Sequence, residues 1–166
     1  MGFETNTLDM EGNVTKRASF DHVTAAVLKE VLPSFTGTIQ QVPPLYSAIR
    51  QNGKKLYQSA RQGRTADEMN IPARAVKIYR IQLVGHELPK FELDIECGGG
   101  TYIRSLIRDI GIQLGSVATM TYLERTKQGP FTLEQALEKN DWTPENIYAA
   151  IDNFNLTRKE QTEKEA

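Results

Sequence analysis

The chain has 166 residues, enough for one domain with a substantial core, and 39% hydrophobic with 25% charged residues is an ordinary globular composition. No apolar run is long enough to cross a membrane, the first residues do not form a signal peptide, and a single cysteine, Cys97, excludes an internal disulfide and a cysteine-based zinc site. These features favour an intracellular protein and leave cytoplasm, nucleus and mitochondrion open.

The net charge of −1 hides an uneven distribution of charged residues. Residues 48–80 contain eight Lys and Arg against two acidic residues, a local net charge of +6. A nearly neutral protein with one basic region can bind a polyanion there. An uneven but merely solvated surface gives the same pattern, and charge alone favours that simpler interpretation.

The first half of the chain predicts helices joined by extended segments. Residues 20–35 carry apolar side chains at helical spacing, and Pro33 and Gly37 end this helix. Extended backbone follows at the two prolines of residues 43–44, and Asn52-Gly53 is a strong turn dipeptide. A short helix ends at Gly63, and residues 65–72 predict an exposed loop.

The second half predicts two strands over residues 73–85 and 91–97, because apolar and polar residues alternate there. A helix is predicted over 101–114, a strand over 117–129, and short helices over 132–137 and 143–151. The charged residues 155–166 predict a disordered tail. The fold class expected from this order is α+β, with a mixed, mostly antiparallel sheet flanked by helices.

The stretch CGGGTYIR, residues 97–104, joins a predicted strand to a predicted helix. Backbone N–H groups at such a turn could bind an anion, but the stretch lacks the Lys-Ser/Thr of a phosphate loop and the spacing of a dinucleotide fingerprint. A small nucleotide-binding domain is therefore a poor interpretation. Taken alone, the glycines indicate a sharp turn that needs a positive φ, with Tyr102 and Arg104 on the surface.

Three stretches read together resemble the TruB-type pseudouridine synthases, enzymes that isomerise the T-loop uridine of tRNA. They are GTIQQVPPLYSAIRQNGKKLYQSARQG, CGGGTYIRSLIRDIGIQLG and TYLERTKQGPFTLEQAL. The opening GFETNTLDMEG is similar to the family stretch Gly-x-x-Thr-Asp-Thr-x-Asp-x-x-Gly, with Asn6 in place of the first Asp. The order and spacing of these four blocks agree to about Ala136, and ECGGG and RTKQGPFTLEQ look closest to the eukaryotic branch.

The resemblance implies the second half of a pseudouridine synthase catalytic domain, over residues 1–154. It implies that Tyr102 packs against the flipped base and takes its C5 proton, because a phenol offers a flat face and an oxygen. It implies that Arg104 holds the catalytic aspartate, and that Leu123 closes the apolar wall of the base pocket. The glycines would then present Tyr102 and Arg104 to that pocket.

The expected partner is the T-arm of tRNA. Lys54, Lys55 and Arg61 lie in a block that is close to the T-arm in this family, where phosphate contacts position RNA without reading its sequence. Solvation of each side chain is an equally good interpretation. We expect no cofactor and no membrane association. We also expect no metal, because His22 and His86 are far apart in the sequence and no carboxylate cluster accompanies them.

The family's catalytic aspartate lies in a Gly-x-Leu-Asp-Pro motif, and none of the seven aspartates of this chain has that context. We therefore expect Arg104 to lack the catalytic aspartate as its partner, and the chain to be inactive unless the N-terminal half of the domain is supplied. A partial gene model, a split gene with that half encoded separately, and a real short form all remain open. The alternative is a non-catalytic RNA-binding or tRNA-folding module.

Overall fold

The computed structural model describes the backbone of residues 1–164 and the side chains of residues 1–66 and 68–155. The chain forms two compact units, Met1–Tyr122 and Leu123–Ala166. In chain order its elements are β1 (Phe3–Thr5), β2 (Val14–Arg17), α1 (Ala25–Val31), β3 (Gly37–Gln41), β4 (Arg50–Gln51), β5 (Lys54–Lys55), α2 (Leu56–Arg61), α3 (Ala66–Met69), β6 (Arg74–Glu87), β7 (Lys90–Cys97), α4 (Ile103–Gln113), β8 (Lys127–Gln128), β9 (Phe131–Thr132) and α5 (Pro144–Lys164). Short 3-10 turns cover Leu32–Phe35, Leu133–Gln135 and Lys139–Asp141.

Antiparallel strands and helices together confirm the predicted α+β class. The largest sheet has the order β3-β6-β7, and two-stranded ladders join β1 to β2, β4 to β5 and β8 to β9. All these ladders are antiparallel. The two predicted strands of the second half are β6 and β7, and they pair as expected from their alternation.

One face of the β3-β6-β7 sheet is covered by α1 and α4. Leu28 of α1, Ile78 of β6, and Leu106 and Ile110 of α4 are fully buried in one apolar cluster. Removing each such side chain from water is worth about 1.5–3 kcal/mol. Cys97 packs at the edge of this cluster, as its inward phase on the strand predicts.

A second, smaller cluster supports the basic region. Leu45, Leu56, Ala60 and Ile71 are buried together. The predicted loop 65–72 is therefore only partly a loop, because its central residues form the single turn α3 and Ile71 anchors its end. The basic residues of 50–61 are thus carried on a folded hairpin and helix, β4-β5-α2, with Asn52 and Gly53 at the turn.

The prediction of a strand over residues 117–129 is wrong for most of its length. Val117 and Ala118 are buried without a ladder, and the only strand there among the described residues is the two-residue β8. The cause is the close crossing of this segment over α4. A Cβ on Gly111 would lie 2.6 Å from the backbone nitrogen of Ala118, so the segment packs directly on the helix backbone, and among the described residues Met120 forms only a single parallel bridge, to Asp9.

The predicted disordered tail also differs from the structure. Helix α5 begins at Pro144, as the Thr143-Pro144 pair predicts, but its backbone continues to Lys164 rather than ending near residue 151. Its last residues are rich in Lys, Glu and Gln, which have high helix propensity and extend a helix that is already nucleated. Residues 165–166 lie outside the described part of the chain.

The hairpin β1-β2 is closed by a conformationally demanding turn. Leu8 has a φ of +64° and is buried, although only glycine adopts this region without cost. Gly12 follows on the same turn, and a Cβ there would lie 2.3 Å from Thr7 Oγ1 and 2.9 Å from the Thr7 nitrogen. Glycine at this position lets the turn fold back on Thr7.

Gly12→Ala should therefore destabilise the protein by about 1–3 kcal/mol, because the added methyl must displace Thr7. Gly99→Ala is the matched control, since a Cβ on Gly99 would meet nothing within 4 Å and its φ is not in the left-handed region. Urea unfolding measures both. Equal free energies of unfolding for the two variants would contradict this account of the turn.

Asp109 on α4 predicts a pH dependence of stability. Burial raises the pKa of its carboxyl above the usual range, and the Arg108 guanidinium at 2.8 Å only partly opposes this. The folded state therefore keeps the proton after the unfolded state has lost it, so stability falls as pH rises from the ordinary pKa to the raised one.

Asp109→Asn never ionises and should be more stable than the original chain at neutral pH. The difference in unfolding free energy between Asp109→Asn and the original chain should grow as pH rises from about 3 and become constant above the raised pKa. Urea unfolding from about pH 3 to about pH 7 tests this. A difference that is independent of pH, or that favours Asp109 as pH rises, would refute it.

Candidate active site

The CGGGTYIR stretch forms the tight strand-to-helix turn that its glycines predict. The Gly98 amide donates to the Lys77 carbonyl at 2.8 Å, and the Thr101 hydroxyl donates to the Gly98 carbonyl at 2.9 Å. Only Gly100 of the three glycines has a positive φ, at +83°. The turn therefore needs glycine at that position to aim the chain into α4.

Tyr102 is the N-cap residue of α4, and both polar groups of its backbone are hydrogen-bonded to the side chain of Gln41. The Tyr102 amide donates to Gln41 Oε1 at 2.9 Å, and Gln41 Nε2 donates to the Tyr102 carbonyl at 3.1 Å. Gln41 is only 1% exposed at the end of β3. This reciprocal pair fixes the position at which the helix begins.

Arg104 lies two residues further and holds three chain segments together. Its Nη1 donates to the Thr7 carbonyl at 2.9 Å and to Asp9 Oδ2 at 2.8 Å, while its Nη2 donates to the Tyr46 carbonyl at 3.0 Å. A guanidinium has five N–H donors in a fixed plane. These contacts use three of them, so two remain for a further acceptor, such as a carboxylate.

Arg104 does have a carboxylate partner in this structure, Asp9, which is not an aspartate of a Leu-Asp-Pro motif, so its pairing with a catalytic aspartate stays a prediction. Both side chains are about four-fifths shielded from solvent. The other oxygen of Asp9 accepts from the Thr7 hydroxyl at 2.6 Å and from the Glu11 amide at 3.1 Å. The Asp9 carboxylate is therefore fully paired and held in one orientation by its own turn.

A cavity of about 350 Å³ lies over this pair. Its lining residues are Thr7, Asp9, Glu11, Tyr46, Ser47, Ala48, Tyr57, Arg61 and Arg104. The cavity combines a neutralised ion pair at Asp9 and Arg104 with an aromatic ring and a second guanidinium from α2. Such a mixture suits a ligand that has both a flat polar ring and a negative charge.

The structure brings some of the predicted site residues together and leaves others apart. Arg104 and Arg61 both line the cavity, whereas Tyr102 is not among its lining residues in the described chain. Tyr102 is the N-cap residue with an extended backbone, whereas Arg104 lies within the first turn of α4. Leu123 belongs to the second compact unit and is half exposed, so its role in a base pocket stays a prediction.

The basic residues of the hairpin and helix are placed close together by Tyr57. The Arg61 guanidinium lies 5.3 Å from the centroid of the Tyr57 ring, and Lys55 Nζ lies 5.7 Å from the same centroid. Lys54 is exposed beside them on β5. Among the described residues none of the three cations has a carboxylate within ion-pair distance.

Three residues of the site were missed from the sequence. Asp9 is the one aspartate of the opening Thr-Asn-Thr-Leu-Asp block, so its motif was visible although its role was not. Gln41 and Tyr46 lie in the GTIQQVPPLYSAIR stretch that resembles the family, but they act through a buried amide and a backbone carbonyl, and the sequence does not show these roles.

The described residues contain no group of three His, Cys, Asp or Glu side chains able to hold a metal ion. His22 and His86 instead bond to the carbonyls of Leu114 and Val23. No helix within the described chain is long and apolar enough to span a membrane.

Comparison with known proteins supports the resemblance over most of the chain. The family model described as TruB family pseudouridylate synthase (N terminal domain) matches residues 1–103. The model described as tRNA pseudouridylate synthase B C-terminal domain matches residues 104–161. Asp9 and Arg104 therefore fall in regions matched by two different models.

Named relatives agree with the family models. The chain is 45% identical to the human pseudouridylate synthase TRUB1 over 92% of this chain and 44% of that protein. It is 43% identical to tRNA pseudouridine synthase B of Clostridium perfringens (strain SM101 / Type A) over 93% of this chain and 54% of that protein. It is 46% identical to tRNA pseudouridine synthase B of Bordetella avium (strain 197N) over 82% of this chain and 55% of that protein. The near-equal identities do not separate the eukaryotic from the bacterial branch, so the eukaryotic assignment stays a prediction.

A solved structure has a similar fold. The crystal structure of a Cbf5-Nop10-Gar1 complex matches 72% of this chain and 30% of the compared chain, with 32% identity and a TM-score of 0.56. The chain spans about half the length of the curated relatives it matches. The family models, the relatives and the fold agree, and the chain belongs to the TruB family of pseudouridylate synthases.

Proposed function

We propose that this chain carries part of the active site of an enzyme that converts uridine to pseudouridine in the T-loop of tRNA. The observation that carries the proposal is the fixed Asp9–Arg104 pair in a cavity beside the Tyr102 turn, in a chain of the TruB family. The same proposal places the protein inside the cell, where its substrate is.

The reaction itself sets the requirements. The bond between uridine N1 and C1′ breaks, the base rotates, a bond forms between C5 and C1′, and the proton on C5 moves to N1 through a base. The site must hold a detached flat ring and supply a group that accepts the C5 proton. Tyr102 offers a ring and a phenolic oxygen for these tasks, at a backbone position that Gln41 fixes.

Arg104 serves this chemistry as a positioning residue. Its contacts to Asp9, Thr7 and Tyr46 hold the guanidinium plane still, and its two remaining N–H donors are available to a second carboxylate. We assign these donors to the catalytic aspartate, which the TruB family carries in a Leu-Asp-Pro motif not found in these residues. Leu123 is assigned to the apolar wall against the base.

The T-arm would lie across the hairpin and helix that carry Lys54, Lys55 and Arg61. These cations have no carboxylate partner in the described chain, and Arg61 lines the cavity. Unpaired cations of this kind bind phosphates and release counterions, which gives affinity without sequence specificity. Specificity for the T-loop would then come from its shape.

Activity can be tested in a chimera that joins this chain to the preceding segment of the Clostridium perfringens relative, the part of the domain in which the TruB family carries its Leu-Asp-Pro aspartate. The chimera should form pseudouridine in a T-arm stem-loop, and this chain alone should bind the RNA without product. Arg104→Lys in the chimera should lower the single-turnover rate about a hundredfold, because the ammonium of lysine cannot make all the hydrogen bonds that the planar guanidinium donates to its several acceptors. The Kd for RNA should change by less than about threefold, since other groups hold the RNA.

Two results would contradict this assignment. Product from the chain alone, lost in Tyr102→Phe, would require a nucleophile within these residues. A collapse of RNA affinity in Arg104→Lys, with a normal rate at saturating RNA, would make Arg104 a phosphate ligand. A chimera that binds the stem-loop but forms no pseudouridine would favour the alternative of a non-catalytic RNA-binding module.

Binding should depend on the basic hairpin. The double variant Lys54→Ala/Lys55→Ala should bind a T-arm stem-loop more weakly at low salt, and the difference should shrink at high salt. Loss of two phosphate contacts should reduce the slope of log K against log salt by about 1.4–1.8. Lys90→Ala/Lys139→Ala, which removes the same charge outside the basic region, is the control and should bind like the original chain. Equal affinities of both double variants at low salt would show that the basic region is only solvated.

A further inference from the structure

The hydroxyl of Ser47 is a buried polar group without a partner. Ser47 is 5% exposed, and its Oγ has no hydrogen bond among the described residues and no contact with solvent. Leaving such a group unsatisfied costs about 1–3 kcal/mol, and native proteins do so rarely. Ser47 lines the same cavity as Arg104 and Asp9. An orphan donor at the wall of a cavity indicates that its partner is a ligand.

Two cations near the ring of Tyr57, which lines the cavity with this serine, also lack ion-pair partners among the described residues. Arg61 and Lys55 both approach the ring of Tyr57, and neither has a carboxylate within ion-pair distance in the described chain. The Tyr57 amide donates to the Ser47 carbonyl at 3.1 Å, so the ring that holds the cations is tied to the serine backbone. An unpaired donor and unpaired positive charge therefore share one wall of the cavity.

We propose that Ser47, Tyr57 and Arg61 form a subsite for one backbone phosphate of the RNA, an inference that rests on the proposed function. The Ser47 side chain turns about χ1 and donates its hydroxyl to a phosphate oxygen. Arg61 donates to the same phosphate through charge-assisted hydrogen bonds, while Tyr57 holds the guanidinium plane in place. The bound phosphate lies next to the Asp9–Arg104 pair and so fixes the RNA backbone beside the reacting nucleotide.

The charges of the cavity favour a phosphodiester over the other parts of an RNA. Asp9 is paired with Arg104, whereas Arg61 lines the cavity without a carboxylate partner among the described residues, and Lys55 lies 5.7 Å from the ring of Tyr57, another lining residue. Glu11 also lines the cavity, so these two cations and this carboxylate leave one net positive charge. A phosphodiester balances that charge, whereas an uncharged base edge does not.

The experiment compares Ser47→Ala with Ser59→Ala, a change of the same size at a buried serine that does not line the cavity. Binding of this chain to a T-arm stem-loop is measured at low salt, with methylphosphonates replacing each backbone phosphate in turn. Ser47→Ala should weaken binding about tenfold, as expected for a hydrogen bond to a charged group. Its Tm should equal or exceed that of the original chain, because the variant removes an unsatisfied hydroxyl. Ser59→Ala should bind normally.

One methylphosphonate should identify the phosphate. At that position the original chain should lose about tenfold in affinity, while Ser47→Ala and Arg61→Gln should lose about twofold or less, because their contact is already absent. At every other position the three proteins should show the same penalties. Arg61 is exposed, so Arg61→Gln reports on binding even if Ser47→Ala folds poorly.

The outcomes separate this inference from the proposed function. Normal binding by Ser47→Ala, or identical penalties for all three proteins at every phosphate, would overturn the subsite while leaving the enzyme assignment intact. Weaker binding by Ser47→Ala with a lowered Tm and no phosphate-specific penalty would show a structural role and also overturn it. Failure of the original chain to bind the stem-loop would refute the proposed RNA substrate, and the subsite with it.

Discussion

The guanidinium of Arg104 is the interaction on which the first compact unit of this protein depends. It joins the turn after β1, the segment before the basic hairpin and the first turn of α4, three segments that are far apart in the sequence. Two of its three contacts are to backbone carbonyls, so it fixes where the chain runs and not only which side chain it meets. Because the pair with Asp9 is mostly shielded from solvent, loss of one partner would leave a poorly solvated charge, which typically costs about 3–5 kcal/mol.

This arrangement explains why the turn after β1 tolerates an unfavourable backbone. Leu8 lies in the left-handed region, and Gly12 packs against Thr7 where no side chain would fit. The strain points the Thr7 carbonyl and the Asp9 carboxylate at the same nitrogen of Arg104. Strain of this kind persists where surrounding contacts over-determine the conformation, and it is common at functional sites.

The sequence predicted those parts of the fold in which a local pattern controls the structure. The alternation over residues 91–97 identifies β7, the helical spacing over 101–114 identifies α4, and Asn52-Gly53 identifies the hairpin turn. The stretch 117–129 was misassigned because its apolar residues are buried by a crossing over Gly111, which is a tertiary contact with no local signature. Asp9 was missed for a similar reason, since its pairing with Arg104 spans 95 residues and only its motif is local.

The two hydrogen bonds between Gln41 and Tyr102 join β3 to the start of α4, although these residues are 61 positions apart in the sequence. Gln41 ends β3, and within the described residues β3 is an edge strand that pairs with β6 alone. Both hydrogen bonds are to the backbone of Tyr102, so a shift of β3 along β6 would move the beginning of α4 with it. The position of this edge strand is thus coupled to the position of Tyr102, the proposed base-contacting residue. Because the Tyr102 amide donates to Gln41, its hydrogen exchange measures how often this contact between β3 and α4 opens.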